Sequence, residues 1–198
     1  MSMLLRPANV KPSCQFWLSE AVALAVVHTL DRYIDNGVSI KWPNDIYWND
    51  RKICGILVEH SLSGGKIDHT IAGIGLNINQ EKFLSDAPNP VSLRQIIGCD
   101  TPLPDVLHHL SEELLRLADS LPDNAETLHA EFLSRLYRRN GLHTYRNVAD
   151  RTADHLAAGE EFCAEIADVA PDGILTLARP DGSRPRFAFK EVEFVIGK

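Results

Sequence analysis

The sequence lacks several features from which a function is often read. Its cysteines form no C-x-x-C pair and have no histidine at zinc-finger spacing; they are Cys14, Cys54, Cys99 and Cys163. We therefore interpret them as small hydrophobic residues with free thiols, in preference to metal ligands or disulfides. The chain also contains no G-x-x-x-x-G-K-[ST] loop. Any nucleotide must therefore be held by another kind of phosphate site.

Long apolar segments and an excess of positive charge are missing as well. The most apolar segment, residues 21–30, is interrupted by His28 and is too short to span a bilayer. The N-terminus does not have the basic and apolar regions of a secretory signal. These observations predict a cytoplasmic protein with no membrane partner. The net charge of -7 argues against general binding to DNA, so anionic ligands would need a local cluster of cations.

The order of periodic segments predicts an α+β protein. Helical periodicity covers residues 13–36, 104–120 and 123–139, with a short helical segment at 91–97. Strands are expected at residues 3–5, 38–41, 53–59, 67–74, 161–167, 174–178 and 187–195. We expect a mixed β-sheet packed with helices in residues 1–142, followed by a small C-terminal β-barrel-like domain in residues 143–198. The apolar run 53–59 is typical of a strand buried on both faces.

The segment KWPNDIYWNDRKICG, residues 41–55, carries charged and amide side chains at the end of a predicted strand. Lys41, Asn44 and Asp45 flank a proline turn, and Lys52 enters the next strand. A carboxylate close to lysines is typical of a site for a nucleotide that carries a divalent metal. Taken singly, a lysine at a strand end is more often a solvated edge residue, and Asp45 is also suited to bonding turn amides.

A second motif, GIGLNIN at residues 73–79, ends the strand that follows. Gly73 and Gly75 would let a ligand approach the main chain, and Asn77 offers a neutral donor and acceptor. A G-x-G sequence after a strand is also a common tight turn. The tryptophans of the first motif, Trp42 and Trp48, are more often packing residues than stacking platforms.

The three motifs KWPND, RK-x-x-G-ILVE and GIGLNIN, in this order and at short spacing, resemble those of bacterial biotin protein ligases. The similarity runs from LLRP near the start to NPVSL at residues 89–93 and includes the C-terminal β-domain. It implies ATP-dependent formation of biotinyl-5′-adenylate and transfer of biotin to a lysine of a biotin carboxyl carrier domain. Lipoate ligases are a more distant alternative, because KWPND and GIGLNIN together are typical of the biotin branch.

The resemblance also implies roles for individual residues and a set of cofactors. Lys52 would contact the biotin carboxylate and the adenylate phosphate, with Lys41 as a supporting cation. Asn44 and Asp45 would contact the nucleotide, and Asp45 would contact Mg²⁺. The cofactors implied are ATP, biotin and Mg²⁺. The main chain beside biotin and adenine would come from Gly55, Gly73, Gly75 and Asn77.

The sequence departs from the family pattern before LLRP. These ligases carry a biotin-recognition segment and a G-R-G-x-x-G loop upstream, and neither motif occurs in this chain. We therefore expect weak enclosure of biotin and slow transfer, and we expect no winged-helix repressor function. The alternative is a non-catalytic module that binds the acceptor domain or a nucleotide. The sheet edge at LLRP would then need cover, and a homodimer is one way to provide it.

Overall fold

We describe the protein from a computed structural model, which describes residues 1–84, 89–149 and 156–196. The chain divides into two compact units, Met1–Tyr137 and Arg138–Lys198. Each unit contains a five-stranded sheet, and the helices belong to the first, so the α+β class is confirmed. The predicted domain boundary at residue 142 stays a prediction. No helix in the described ranges is long and apolar enough to cross a membrane.

The first unit is built on a sheet of strand order β1-β5-β4-β3-β2. Its strands are β1 (Ser2–Leu5), β2 (Val38–Lys41), β3 (Asp45–Trp48), β4 (Arg51–Ser63) and β5 (Lys66–Leu76). Its helices are α1 (Phe16–Leu30), α2 (Leu93–Ile97), α3 (Leu103–Asp119) and α4 (Ala125–Ser134). Each pair of neighbouring strands is antiparallel. Parallel pairing, which a mixed sheet requires, is seen in the described ranges as two isolated bridges, Ile40 with Leu136 and Lys52 with Pro90.

Helix α1 is the centre of the first unit. It packs against β2, β3 and β4 on one side and against α3 and α4 on the other. Eleven of its fifteen residues are buried, which explains why the helix is apolar around most of its circumference. The helix ends at Leu30, before the predicted end at residue 36. The segment after it turns through main-chain bonds to Val27, Thr29 and Leu30.

The two faces of the sheet have opposite characters. One face packs against helices, and its side chains are buried; they include Ile40, Ile46, Ile56 and Ile74. The other face is open: Leu57 is 60% exposed and Leu4 is 54% exposed. The prediction that β4 is buried on both faces is therefore wrong. Alternate side chains of a strand point to opposite faces, and the face that carries Leu57 has no helix against it in the described ranges.

Helix α4 is shorter than predicted. It ends at Ser134, whereas the periodicity predicts a helix to residue 139. The chain then turns and contacts β2 through one parallel bridge at Leu136: the Ile40 N–H donates to Arg135 O, and the Tyr137 N–H donates to Ile40 O. Leu136 is buried at the sheet edge. The main-chain groups at the edge of β2 bond to this segment, and these bonds replace those that a longer helix would make.

An ionised histidine joins the three long helices. His28 of α1 lies 2.6 Å from Glu113 of α3 through Nδ1 and 2.5 Å from Glu131 of α4 through Nε2. Burial lowers the pKa of His28, but its bonds to Glu131 and Glu113 outweigh this, so the pKa is raised above its ordinary value. Both ring nitrogens face carboxylates, so both must donate, and the ring is an imidazolium.

We expect His28 to make the first unit less stable as the pH rises. A raised pKa in the folded state contributes stability that is complete below the unfolded value of about 6.5 and is lost as the pH rises through the folded value. The free energy of unfolding should fall by about 1 kcal/mol or more above neutral pH, because two charge-assisted bonds are lost. In the His28→Gln variant this fall should disappear. Urea titrations of both proteins between pH 5 and pH 9 measure it, and parallel curves would contradict the prediction.

The second unit is a sheet of strand order β10-β6-β7-β8-β9. Its strands are β6 (His143–Asn147), β7 (Glu161–Val169), β8 (Leu175–Ala178), β9 (Arg186–Phe187) and β10 (Val192–Phe194). The single strand predicted at 187–195 is thus two short strands at opposite ends of the sheet, and β6 was not predicted. In the described ranges the outer strands β10 and β9 are not paired with each other. The sheet is therefore barrel-like in size but does not close into a hydrogen-bonded barrel. Its core contains stacked rings, among them Tyr145, Phe162 and Phe187.

Candidate functional site

The KWPND segment is the turn of a hairpin. Strand β2 ends at Lys41 and β3 begins at Asp45, and these two residues are direct partners in the sheet register. Strand β3 was not predicted, because the proline turn was interpreted as the end of regular structure. Asn44 fixes the turn to β4: its Nδ2 donates to Ile56 O at 2.7 Å, and the Ile56 N–H donates to Asn44 O at 2.9 Å.

Four predicted site residues form a row across the open face of the sheet. Lys41 is opposite Asp45, Asp45 is opposite Gly55, and Gly55 is opposite Gly75. Residues that are direct partners in antiparallel strands lie on the same face. Gly73 lies two residues before Gly75 and therefore shares this face, opposite Leu57. The glycines leave the main chain of β4 and β5 bare, which gives a planar ligand a flat surface to lie on.

Lys52 and Asp45 form an ion pair beside this bare surface. Lys52 Nζ lies 2.6 Å from Asp45 Oδ1, with 34% of the lysine and 19% of the aspartate side chain exposed. A Cβ atom at Gly55 would lie 3.3 Å from both Cε and Nζ of Lys52. The lysine therefore packs over the glycine, and its ammonium group is accessible to an anion on the open face.

Lys41 lies on the same face, next to an aromatic residue that the sequence interpretation missed. Its Nζ is 5.5 Å from the centre of the Tyr47 ring, and Tyr47 is the register partner of Lys52. The Tyr47 ring is buried against Tyr137, at 5.3 Å between centres. Burial, and then the charge of Asp45, raise the pKa of Tyr47 to about 12, so its hydroxyl group stays protonated. Tyr47 follows Asp45 by two residues, and the period of a strand would have placed it on this face.

Asn77 follows the last residue of β5, at the far end of the site. Its main-chain N–H donates to Ile53 O at 2.9 Å, and its Nδ2 donates to Val91 O at 3.1 Å. The side-chain oxygen is the acceptor that this bond leaves for a ligand. The structure thus brings the predicted lysines, Asp45 and the predicted glycines to one face. The side-chain amides of Asn44 and Asn77 donate hydrogen bonds to main-chain carbonyl groups of neighbouring segments. The ligand contacts of all of them stay predictions.

The row of site residues contains one carboxylate, that of Asp45. No group of three or more histidine, cysteine, aspartate or glutamate side chains that could hold an ion occurs in the part of the chain that the structure describes. Magnesium is often bound through one or two carboxylates together with substrate phosphates. Asp45 fits that arrangement for a Mg²⁺ ion carried by a nucleotide, provided that Lys52 moves from the carboxylate to a phosphate.

The nearby thiol is not a nucleophile. Cys54 is 1% exposed on the helix-packed face of β4. Burial, and then the negative charge of Asp45, raise the pKa of Cys54 to about 12. The thiolate is the reactive form, and it is scarcely populated at neutral pH. Chemistry at this site therefore has to come from the charged and amide groups of the open face.

Comparison with known families agrees with the motifs. Residues 1–77 match the model of the Biotin/lipoate A/B protein ligase family. The chain is 33% identical over 115 residues to the bifunctional ligase/repressor BirA of Bacillus subtilis, covering 56% of this chain and 34% of that protein. It is 40% identical over 68 residues to the human biotin--protein ligase, covering 34% of this chain and 9% of that protein. The chain spans about a third of the length of the first of these relatives.

The solved structures extend the similarity to both units. The biotin protein ligase from Aquifex aeolicus in complex with biotin and ATP matches with a TM-score of 0.73 and 20% identity, over 98% of this chain and 77% of that chain. The Leishmania major biotin protein ligase in complex with biotinyl-5-AMP matches with a TM-score of 0.57 and 19% identity, over 94% and 76% of the two chains. These similarities confirm the predicted fold of a biotin ligase catalytic domain followed by a small β-domain.

Proposed function

We propose that this protein attaches biotin to a lysine of a biotin carboxyl carrier domain through biotinyl-5′-adenylate. The observation that carries the proposal is the accessible Lys52–Asp45 pair beside the bare main chain of Gly55 and Gly75. An ammonium group next to a flat, unobstructed surface suits a ligand that has both a ring and an anionic group. The names of the related proteins agree with biotin as that ligand.

In the first step a carboxylate oxygen of biotin forms a bond to the α-phosphorus of ATP, and pyrophosphate leaves with the electrons of the broken P–O bond. Two anions must meet for this reaction, so cations have to offset their repulsion and the charge that develops at phosphorus. We assign this role to Lys52, with Lys41 as a second cation on the same face. Asn77 would accept a hydrogen bond from the adenine amino group through its side-chain oxygen.

In the second step a neutral lysine amine of the acceptor attacks the acyl carbon of the mixed anhydride. A C–N bond forms, the C–O bond to the phosphate breaks, and AMP leaves with the electron pair while the amine loses a proton to solvent. Lys52 would stabilise the leaving phosphate. In the first step Mg²⁺ that arrives with ATP would be held by Asp45 and would supply further positive charge at the phosphates.

A second candidate function is a module that binds its ligand or acceptor without catalysing transfer. The open face of the sheet favours it, because Leu4, Leu57 and Ile71 are exposed beside the glycine surface. A mixed anhydride on an uncovered surface is accessible to water, so hydrolysis would compete with its transfer to an acceptor. β1 is an edge strand, and a homodimer that pairs there also stays a prediction.

Titration calorimetry and a transfer assay test both candidates. We expect the 198-residue chain to bind a hydrolysis-resistant biotinyl-adenylate analogue more tightly than biotin or ATP alone, since the analogue fills both halves of the site. The lipoyl analogue is the matched control and should bind more weakly. Labelled biotin on a carrier-domain lysine, dependent on ATP, identifies the ligase. Tight binding of the analogue or of the carrier domain with no transfer identifies the binding module, and absence of binding to both contradicts both candidates.

A further inference from the structure

The main chain of Lys52 is held by a segment distant in sequence. The Lys52 N–H donates to Asn89 O at 3.0 Å, and the Val91 N–H donates to Lys52 O at 2.9 Å. The two bonds enclose the parallel bridge between Lys52 and Pro90. We call residues 89–91 the Lys52 clamp. Both main-chain groups of the residue that carries the central ammonium group are therefore fixed from outside the β3–β4–β5 ladder.

Asn89 is the residue through which the clamp controls the start of β4. Its main-chain oxygen accepts from Lys52, and its Nδ2 donates to the main-chain oxygen of Asp50, two residues before Lys52. Its φ of 45° lies in the left-handed region, which asparagine, aspartate and glycine adopt more readily than other residues. The Asp50 carboxylate in turn accepts from the Tyr137 hydroxyl. Asp50, in the turn before Lys52, is thus hydrogen-bonded both to Asn89 and to Tyr137.

The other end of the clamp is fixed as well. The Val91 carbonyl accepts from Asn77 Nδ2, and Arg51 Nη2 donates to Pro90 O at 3.0 Å. Ser92, which is fully buried, then begins helix α2 with a capping box. The clamp is therefore bonded to Asn77 of the GIGLNIN motif and leads directly into a capped helix.

We propose that Asn89 is a positioning residue for Lys52. It sets the direction in which the lysine leaves the strand, so that the ammonium group lies beside Asp45 and above Gly55. A Cβ atom at position 55 would lie 3.3 Å from Cε and Nζ of Lys52, so this course of the side chain depends on the glycine beneath it. Small misplacements of a charged group at a reacting centre cost large factors in rate. This inference rests on the proposed function, because it assigns a further residue to the same site.

The binding experiment is a double-mutant cycle. Asn89→Gly removes the side chain and keeps the left-handed backbone, and Asn89→Asp keeps the size but replaces the donor by an acceptor. We expect either change to weaken binding of the hydrolysis-resistant adenylate analogue about fivefold to tenfold, the range for one lost hydrogen bond. In a Lys52→Ala background the same changes should have less than about a twofold effect, because residues that act as one unit are not additive. Equal losses in both backgrounds would overturn the proposal.

Asn79→Ala is the matched control, since Asn79 also donates its amide to a main-chain carbonyl, that of Thr101, at 2.9 Å. It should leave binding of the analogue unchanged. A loss as large as that of Asn89→Gly would show that any broken loop bond has this effect, and it would overturn the specific role of Asn89.

Amide hydrogen exchange tests the clamp without any ligand. In Asn89→Gly the Lys52 amide should exchange about fivefold to tenfold faster, whereas the Ile56 amide, which is bonded to Asn44, should not change. Unchanged exchange at Lys52 would overturn the clamp. If the wild-type chain does not bind the analogue at all, the proposed function fails, and the exchange result still decides whether Asn89 holds Lys52.

Discussion

Lys52→Ala is expected to slow formation of biotinyl-adenylate by about 10²–10³-fold, the loss seen when a preorganised group that stabilises developing charge is removed. Lys52 is the cation that pairs with Asp45 over the bare glycine surface. Single-turnover formation of adenylate from labelled ATP and biotin measures the rate. The free energy of unfolding should change by about 1 kcal/mol or less, because the pair is partly exposed.

Two further lysine variants make this test specific. Lys66→Ala removes an exposed lysine from the β4–β5 hairpin and should leave the rate unchanged. Lys52→Arg keeps the charge but brings a planar, longer group over Gly55, so we expect partial activity. If Lys52→Ala formed adenylate at the wild-type rate, Lys52 would not be the group that offsets the phosphate charge, and Lys41 on the same face would be the next candidate.

The row of site residues was predictable because it depends on local geometry. The hairpin turn at KWPND, the period of two along a strand and the hairpin at residues 63–66 bring Lys41, Asp45, Gly55 and Gly75 together. Each step joins segments that are close in sequence. The same rules would have placed Tyr47 on this face, had β3 been recognised as a strand.

The residues that position the site could not be found in this way. Asn89 contacts Asp50 across 39 positions of sequence, and Tyr137 contacts Asp50 across 87. Neither contact follows from periodicity or turn chemistry, since both depend on how loops cross the finished sheet. The length of α4 was overestimated for the same reason. The apolar residues Leu136 and Tyr137 fit a helical stripe, but the edge of β2 forms a bridge with Leu136 after the helix has ended.

Phe132→Ala is expected to destabilise the first unit by about 3–5 kcal/mol, the usual cost of emptying a buried phenylalanine site. Phe132 lies on α4, is fully buried and packs edge-to-face on Phe16 of α1, with 5.8 Å between ring centres. The loss is a large part of the 5–15 kcal/mol or so that holds a typical domain folded. Urea unfolding followed by tryptophan fluorescence measures this unit, because all three tryptophans lie in residues 1–137.

Leu115→Ala is the control for that experiment, because Leu115 is a large apolar residue that is 46% exposed on α3. It should change the free energy of unfolding by less than about 1 kcal/mol. The effect of Phe132→Ala should also reach the site, since the segment after α4 pairs with Ile40, the residue before Lys41. The Ile40 amide, which donates to Arg135 O, should therefore exchange faster in Phe132→Ala and not in Leu115→Ala. A loss below about 1.5 kcal/mol with unchanged exchange at Ile40 would mean that α4 does not support the strand that carries Lys41.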